Sequence, residues 1–585
     1  MRKTDPHIFF GDVFPKAIEP IAIALSRQLE EGHICIDLLD ENFHSLKEIA
    51  ETTPDKLCIL ENEEEYKPEP FVLFKNKIYF NRYFHYESII LNKIKTLIYK
   101  GRENTNERIL KILKIKHFFN NLFKQDDGTN LQSVAAFSAY SNNFCIITGG
   151  PGTGKTTTVA NLLAMLFFDN PELKVLIAAP TGKAAARIND SFKDFNNNLI
   201  EEKIVSKIKA VKALTIHRLL GGYQSFIFNE KNPLDTDLLI VDESSMIDAA
   251  LMAKLLSALP DNCRLILLGD KNQLSAVEAG SIFSDLCIAG LSNSAIYSSF
   301  FVYSFQQLVN LKITSLKTSN VQNLLNDCIT ELEKSRRFDD DKKIALFSKK
   351  VIKGEKDLDL NEYYSVSEGE KQFVKIISNT KIDLQTDMIF LDLLEKIKVY
   401  IAEKDVLKSF ELLNNFKILC ATREGKTGMH AINKLIESEL NIKKINKTFY
   451  HKQPILITKN DPELEIFNGD IGILIDENTG GENPQLVAYF IVNGALKKVQ
   501  LLHITDYETA FAMTIHKSQG SEYQNVYIFL PTDPENKILT RELLYTAVTR
   551  AKNSCYLYAN DTVIRRTIEK QVSRVSGIID RIQAQ

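Results

Sequence analysis

The chain has 585 residues and a mass of 66.4 kDa, too long for one hydrophobic core, so about three to five domains are expected. Its apolar content of 44% and charged content of 25% are those of an ordinary globular protein, and its net charge of −3 excludes a nucleic-acid binder that works through a global positive field. The eight cysteines form no C-x-x-C pair, which argues against a zinc site or a disulfide framework. No run of about eighteen apolar residues is available to span a membrane. Asp5, Pro6, Asp12 and Pro15 interrupt any signal-peptide core, so the cytoplasm is the expected compartment.

Residues 1–110 read as a separate helical and mixed module, opening on the helical stretch IEPIAIALSRQLEEGH and passing through a β-like patch, FVLFKNKIYFNRYF. Residues 93–124 are basic, with Ile109, Ile112, Leu113 and Phe119 at helical spacing. That pattern favours a solvated helix with a buried stripe over a DNA site. From about residue 125 short apolar strands alternate with helices: FCIIT (144–148), KVLIAAP (174–180), DLLIVD (237–242) and CRLILLGD (263–270). Buried runs of this kind predict a parallel sheet, with ligands at the carboxyl ends of its strands. A second set, FKILCATR (416–423), ETAFAMTIHKSQG (508–520) and NVYIFLP (525–531), predicts a second α/β domain. Residues 440–505, with the turn signals FNGDIG and NTGGENP, read as a small inserted β-barrel. The expected division is therefore 1–110, 111–330 and 331–585.

GGPGTGKTTT (149–158) follows the strand FCIIT, precedes a helical run, and satisfies G-x-x-x-x-G-K-[ST]. Gly149, Gly150, Pro151, Gly152, Thr153, Gly154, Lys155, Thr156 and Thr157 form the expected nucleotide cradle. Its glycines let backbone N–H groups converge on phosphate oxygens, and the following helix adds a favourable field for an anion. Lys155 is expected to reach the β- and γ-phosphates of ATP, and Thr156 to ligate Mg²⁺. In DESSMID (242–248), Asp242 is expected to hold Mg²⁺ through water and Glu243 to activate the attacking water. Gln273, after the strand ending at LLGD, stands where a neutral side chain could sense the γ-phosphate.

The order of these motifs, with APTGKAAARI (179–188), TIHRLL (215–220), TIHKSQGSEY (514–523) and LLYTAVTRAK (543–552), resembles superfamily 1 helicases. The resemblance implies an α/β fold with two RecA-like P-loop domains and ATP between them, and an SH3-like form for the inserted barrel. It also implies γ-phosphate contacts from Arg337 in SRRF and Arg550 in TAVTRAK, where a forked, permanently charged guanidinium suits the role. Arg336 stands beside Arg337 as the competing choice. Gln132 resembles an adenine-reading glutamine, Glu522 a ribose contact, and Thr181, His217, Thr514 and His516 fall in motifs that contact single-stranded DNA. KKINKTFYHK (443–452) is either a further strand contact or a solvated loop.

The flanks CATREGKTGMHAIN, LITKNDPELEIFNGDIGIL and GHICIDL resemble the α-subunit family of exodeoxyribonuclease V, the RecBCD-like helicase–nucleases. That closer resemblance implies a 5′→3′ motor on single-stranded DNA that processes DNA ends with the β and γ subunits of a heterotrimer. It also implies that the N-terminal module docks the γ subunit. No nuclease carboxylate cluster is evident in the chain. A stand-alone helicase and an ATP-dependent DNA-end switch are the alternatives.

Overall fold

The computed structural model describes residues 5–53, 58–60, 69–124, 129–222, 226–291, 297–319, 323–334, 343–366, 372–378, 384–445, 448–461, 463–478, 485–492 and 494–583. Near the N-terminus, Cys35–Asp37 (β1), Cys58–Leu60 (β2), Phe71–Phe74 (β3) and Lys77–Phe80 (β4) form a sheet in the order β1-β4-β3-β2. Alternation divides its residues between two sides. Ile36, Phe71 and Ile78 pack with Ile21 and Leu25 of the helix Glu19–Glu30, whereas Cys35, Val72 and Tyr79 pack with Phe84. The β-like patch is thus a hairpin, β3–β4, that runs directly into a helix.

That helix, Asn81–Lys114, changes the expected division of the chain. It is 34 residues long, and the break expected at residue 110 falls inside it. Its buried stripe of Ile90, Leu91, Ile94, Leu97 and Ile98 belongs to the same core as Phe144 and Ile146 of the next sheet. The basic run is therefore part of the sheet's cover: Ile94, Leu97 and Ile98 enter one core, and Ile109, Ile112 and Phe119 the other.

The next sheet comprises Phe144–Gly149 (β5), Val175–Ala179 (β6), Ala213–Thr215 (β7), Leu238–Val241 (β8), Arg264–Gly269 (β9) and Ile329–Leu332 (β10). Its order is β10-β5-β9-β8-β6-β7 and every pairing is parallel. Its strands are mostly apolar because both faces are covered, with Arg264 and Glu331 among the exceptions. Cys145, Ile147, Ile240 and Ile266 enter one core, and Phe144, Ile146, Leu239 and Leu265 enter the other. Strand β10 straddles the expected boundary at 330, since its partner is β5.

The second parallel sheet uses Phe373–Ile377 (β11) and Phe416–Cys420 (β12). An insertion follows, made of Pro454–Ile457 (β13), Ile471–Asp476 (β14), Leu486–Val492 (β15), Ala495–Gln500 (β16) and Tyr507–Thr509 (β17). The chain then returns through Ala512–Thr514 (β18), Tyr523–Phe529 (β19) and Ala551–Tyr558 (β20). The parallel order is β11-β20-β19-β12-β18, and the insertion is an antiparallel sheet, β16-β15-β14-β13-β17. Ile455 and Ile457 of β13 join the insertion's own core, while the intervening Leu456 joins that of the parallel sheet.

The last residues leave this domain altogether. Ile34 N–H donates to Val575 O, and Gly577 N–H donates to Glu87 Oε1 at 2.8 Å. The guanidinium of Arg581 lies 3.3 Å from the Glu87 carboxylate, and both side chains are buried. The helix Ile578–Gln583 places Ile578 and Ile582 in a core of the first parallel sheet. The expected third segment, 331–585, thus gives up its start to one neighbour and its end to two. Among the described residues no helix is long and apolar enough to cross a membrane.

Candidate nucleotide site

Strand β5 ends at Gly149, and the helix Lys155–Asp169 begins after Gly154. Gly152 and Gly154 have φ of +79° and +86°, a region that costs a residue with a β-carbon dearly. Space enforces the same choice at Gly154, where a β-carbon would lie 2.1 Å from Gln132 Nε2. Lys155 Nζ bonds the carbonyls of Gly149 and Gly150, the latter at 3.2 Å. Pro151 through Thr157 line one wall of a cavity of about 360 Å³. Gln132 is not in that wall: it is buried behind the loop and donates from Nε2 to Thr153 O at 2.9 Å.

Asp242 and Glu243 form the second wall, at the carboxyl end of β8. Burial raises the pKa of Asp242, the neighbouring Glu243 charge adds to it, and Lys155 opposes it. Glu243 takes φ of +51°, left-handed for a residue with a full side chain, and its N–H donates to Asp242 Oδ1 at 2.8 Å. Backbone strain of this kind costs about 1–3 kcal/mol and gathers at working sites. Facing the two carboxylates is Arg187, on the helix Gly182–Lys193, paired with Glu522 across the cleft. Burial works against the charge of Arg187, but Glu522, Glu243 and Asp242 together raise its pKa. Within APTGKAAARI, Arg187 is a site residue that motif order alone does not single out. Its signal is the lone arginine in an alanine-rich helical turn.

The third wall joins the two parallel sheets. Gln273 follows β9 and donates from Nε2 to Asp270 Oδ2 at 3.0 Å. Arg550 follows the helix Arg541–Val548 and is 2% exposed. Its Nε donates to Thr546 O at 3.0 Å and its Nη1 to Ser521 O at 3.2 Å. Gln273, Glu522 and Arg550 all line the cavity with Lys155. Arg337, expected here as a second arginine, lies outside the described residues.

The four residues expected at DNA occupy carboxyl ends of parallel strands. Thr181 follows β6 and caps the next helix, accepting from Ala184 N–H at 3.2 Å. His217 follows β7, half-buried, with its ring 5.8 Å from that of Phe226. Thr514 ends β18, and His516 lies in the short turn after it. Burial lowers the pKa of both histidines. The stretch 443–452 is not a strand contact as a unit. Lys452 and Tyr450 are buried, Lys452 Nζ bonds Ser409 Oγ at 2.6 Å, and Lys444 pairs with Glu437. Lys447 lies outside the described residues.

Two family models match the chain: an AAA domain over residues 132–279 and a UvrD-like helicase C-terminal domain over residues 509–558. The chain is 33% identical over 528 residues to the RecBCD enzyme subunit RecD of Buchnera aphidicola subsp. Acyrthosiphon pisum, covering 86% of this chain and 83% of that protein. It is 34% identical over 537 residues to the RecBCD enzyme subunit RecD of Haemophilus influenzae, covering 86% and 79%. The ATP-dependent RecD2 DNA helicase of Deinococcus radiodurans is 27% identical over 449 residues, covering 75% of this chain and 50% of that one.

Proposed function

The chain belongs to the RecD family of RecBCD enzyme subunits, and from that premise we propose that it is the ATP-dependent 5′→3′ DNA helicase of a RecBCD-like helicase–nuclease, processing double-strand DNA ends for recombinational repair. One observation carries the reading of the site. Lys155, Asp242, Glu243 and Gln273 from one parallel sheet and Arg550 from the other line a single cavity. Two buried polar atoms there, Gln273 Oε1 and Arg550 Nη2, have no partner among the described residues. Buried polar groups ordinarily find partners. A guanidinium N–H open beside an ammonium fits a phosphate chain, and an open amide oxygen fits a hydrogen-bond donor such as the attacking water.

The residues therefore fit ATP and Mg²⁺. Lys155 and the loop N–H groups would hold the phosphates, with Thr156 and Asp242 at Mg²⁺. Glu243 takes the proton of the attacking water, and Gln273 reads the γ-phosphate end. Arg550, and by resemblance Arg337, stabilise charge on the transferring group. Gln132 is assigned to adenine by resemblance, which requires its amide to give up Thr153 O for the base, and Glu522 to ribose. ATP supplies the phosphoanhydride bond whose hydrolysis drives movement. Because the catalytic groups come from both sheets, nucleotide turnover changes how the sheets approach one another, and Thr181, His217, Thr514 and His516 pass that change to single-stranded DNA. The inserted sheet is read as a small SH3-like barrel.

The N-terminal module carries no nucleotide motif and is assigned to docking the γ subunit, with the β subunit completing the heterotrimer in the cytoplasm. Phe9 and Val13, 59% and 78% exposed, are apolar anchors for such a surface. The test uses the purified chain on forked and tailed duplexes. A 5′ overhang should be unwound and a 3′ overhang should not, and Lys155→Gln should abolish most DNA-stimulated turnover. Unwinding from 3′ overhangs alone contradicts the polarity, and near-normal turnover in Lys155→Gln contradicts the site.

A further inference from the structure

The loop that carries Gln273 is anchored at both ends of its job. It springs from β9 of the first parallel sheet, yet Leu274 is buried in a core of the second. Leu274 N–H donates to Thr546 Oγ1 at 3.0 Å, and Gln519 Nε2 donates to Leu274 O at 2.7 Å. Beside Thr546 stands Tyr545, whose hydroxyl donates to Asp270 Oδ2 at 2.9 Å. The same oxygen accepts from Gln273 Nε2 at 3.0 Å, while Oδ1 accepts from Asn272 N–H at 3.0 Å. Asp270 is 1% exposed, so these donors are what hold its carboxylate. The Tyr545 hydroxyl also abuts the phosphate loop, 2.8 Å from where a β-carbon on Gly150 would sit.

We propose that Tyr545 is a positioning residue for ATP hydrolysis. Through Asp270 it fixes the side chain of Gln273, so that Gln273 and Arg550 enter the cavity as one unit. The chain of contacts is short and closed. Tyr545 orients the Asp270 carboxylate, Asp270 holds the Gln273 amide by Nε2, and this leaves Oε1 without a partner among the described residues. Thr546 accepts at its carbonyl from Arg550 Nε and at its hydroxyl from Leu274 N–H. One turn of the helix Arg541–Val548 thereby governs both the glutamine of the first sheet and the arginine of the second. Removing the hydroxyl takes away one donor to a buried carboxylate, and the amide it holds loses its fixed orientation. The ring still fills its place among Leu274, Leu543 and Leu544. The proposal rests on the reading of this cavity as the ATP site.

The experiment compares Tyr545→Phe, Gln273→Ala and the double variant in the full-length chain, with Lys155→Gln as the control for the site itself. DNA-stimulated kcat should fall about tenfold or more in Tyr545→Phe, the scale of one lost hydrogen bond to a charged group. KM for ATP and the affinity for fluorescent ADP should stay within about twofold, because Lys155 and the N–H groups of the loop are retained. The double variant should be no slower than Gln273→Ala, since both changes disable one device. Asp270→Asn should reproduce the kcat loss. Unchanged kcat in Tyr545→Phe, or effects that multiply in the double variant, would overturn the proposal. Turnover that survives Lys155→Gln would instead overturn the site reading on which it depends.

Discussion

Arg550 offers the sharpest test of a catalytic cleft built from two sheets. Two of its three guanidinium nitrogens are committed to the fold, Nε to Thr546 O and Nη1 to Ser521 O, and Nη2 has no partner among the described residues. The side chain is thus oriented by its own domain and presents one N–H pair to the cavity. An arginine so placed is worth about 10³–10⁵ in turnover, or about 4–7 kcal/mol at roughly 1.4 kcal/mol per tenfold. The two anchoring bonds contribute about 1 kcal/mol each to stability. Arg550→Ala should therefore lower kcat by about 10³ or more, with a modest loss of thermal stability. Arg550→Lys keeps the charge, but one ammonium cannot bond Thr546 O, Ser521 O and a phosphate together, so it should recover only part of the rate. Fluorescent ADP binding should stay within about threefold in both, since Lys155 and the phosphate loop supply ground-state affinity. Measuring kcat at saturating ATP and DNA, with ADP binding in parallel, separates the effects. If Arg550→Ala hydrolyses ATP at the normal rate while binding ADP normally, the residue is structural and the cleft has been read wrongly.

Phe9→Asp with Val13→Asp should abolish co-purification with the γ subunit and leave DNA-stimulated ATPase intact, because both side chains are exposed and far in the chain from the cavity; retained partners would refute docking through this face. Acidification should loosen the C-terminal tail, since His33 Nδ1 accepts from Val575 N–H at 3.0 Å and burial lowers its pKa below 6.5. The undocked state then binds a proton that the docked state refuses, so docking is fully stable above pH 6.5 and weakens as pH falls towards the docked pKa; amide exchange at Val575 that is unchanged between about pH 7.5 and 5.5 would contradict this. Arg581→Met should cost about 3–5 kcal/mol by stranding the buried Glu87 carboxylate. Adding Glu87→Met should restore most of that loss in a thermal melt, and a double variant weaker than the single would refute the pairing.

The nucleotide site was legible because its signals are local. A glycine loop between a strand and a helix, and an acidic pair ending a strand, each need only a few consecutive residues to declare their chemistry. Gln273 and Arg550 were legible through motif order, and the structure brings both to the cavity. What the sequence could not reveal depends on distant segments meeting. Arg187 looks like any solvated helix residue until Glu522, more than three hundred positions on, comes to face it. Asp270 reads as part of a turn until Tyr545 reaches it. The boundary at 110 failed for a related reason: composition shifts there, but the helix Asn81–Lys114 continues because its apolar stripe is shared with β5. A deletion of residues 1–110 would therefore strip the first parallel sheet of a covering helix and remove Glu87 from Arg581, so it cannot isolate the docking module. Surface substitutions at Phe9 and Val13 can.

Some departures from ordinary packing lie at the cleft, and these bear on how the motor works. Glu243 is held left-handed at φ +51°, and Ser245 Oγ, Gln273 Oε1, Ser521 Oγ and Arg550 Nη2 are buried without partners among the described residues. At about 1–3 kcal/mol for each such group, the cleft subtracts an amount comparable with the net stability of a whole domain, about 5–15 kcal/mol. The two parallel sheets offset that cost, since most of their strand residues are buried in the cores on their faces. Evolution tolerates such local violations where function requires them. Those at the cleft follow β8 and β9, precede β19 and follow the helix Arg541–Val548. A cleft satisfied entirely by protein partners would hold the two sheets at one fixed separation. One with open donors and acceptors on both walls lets a ligand set that separation, which is what a motor that converts nucleotide turnover into movement along a strand requires.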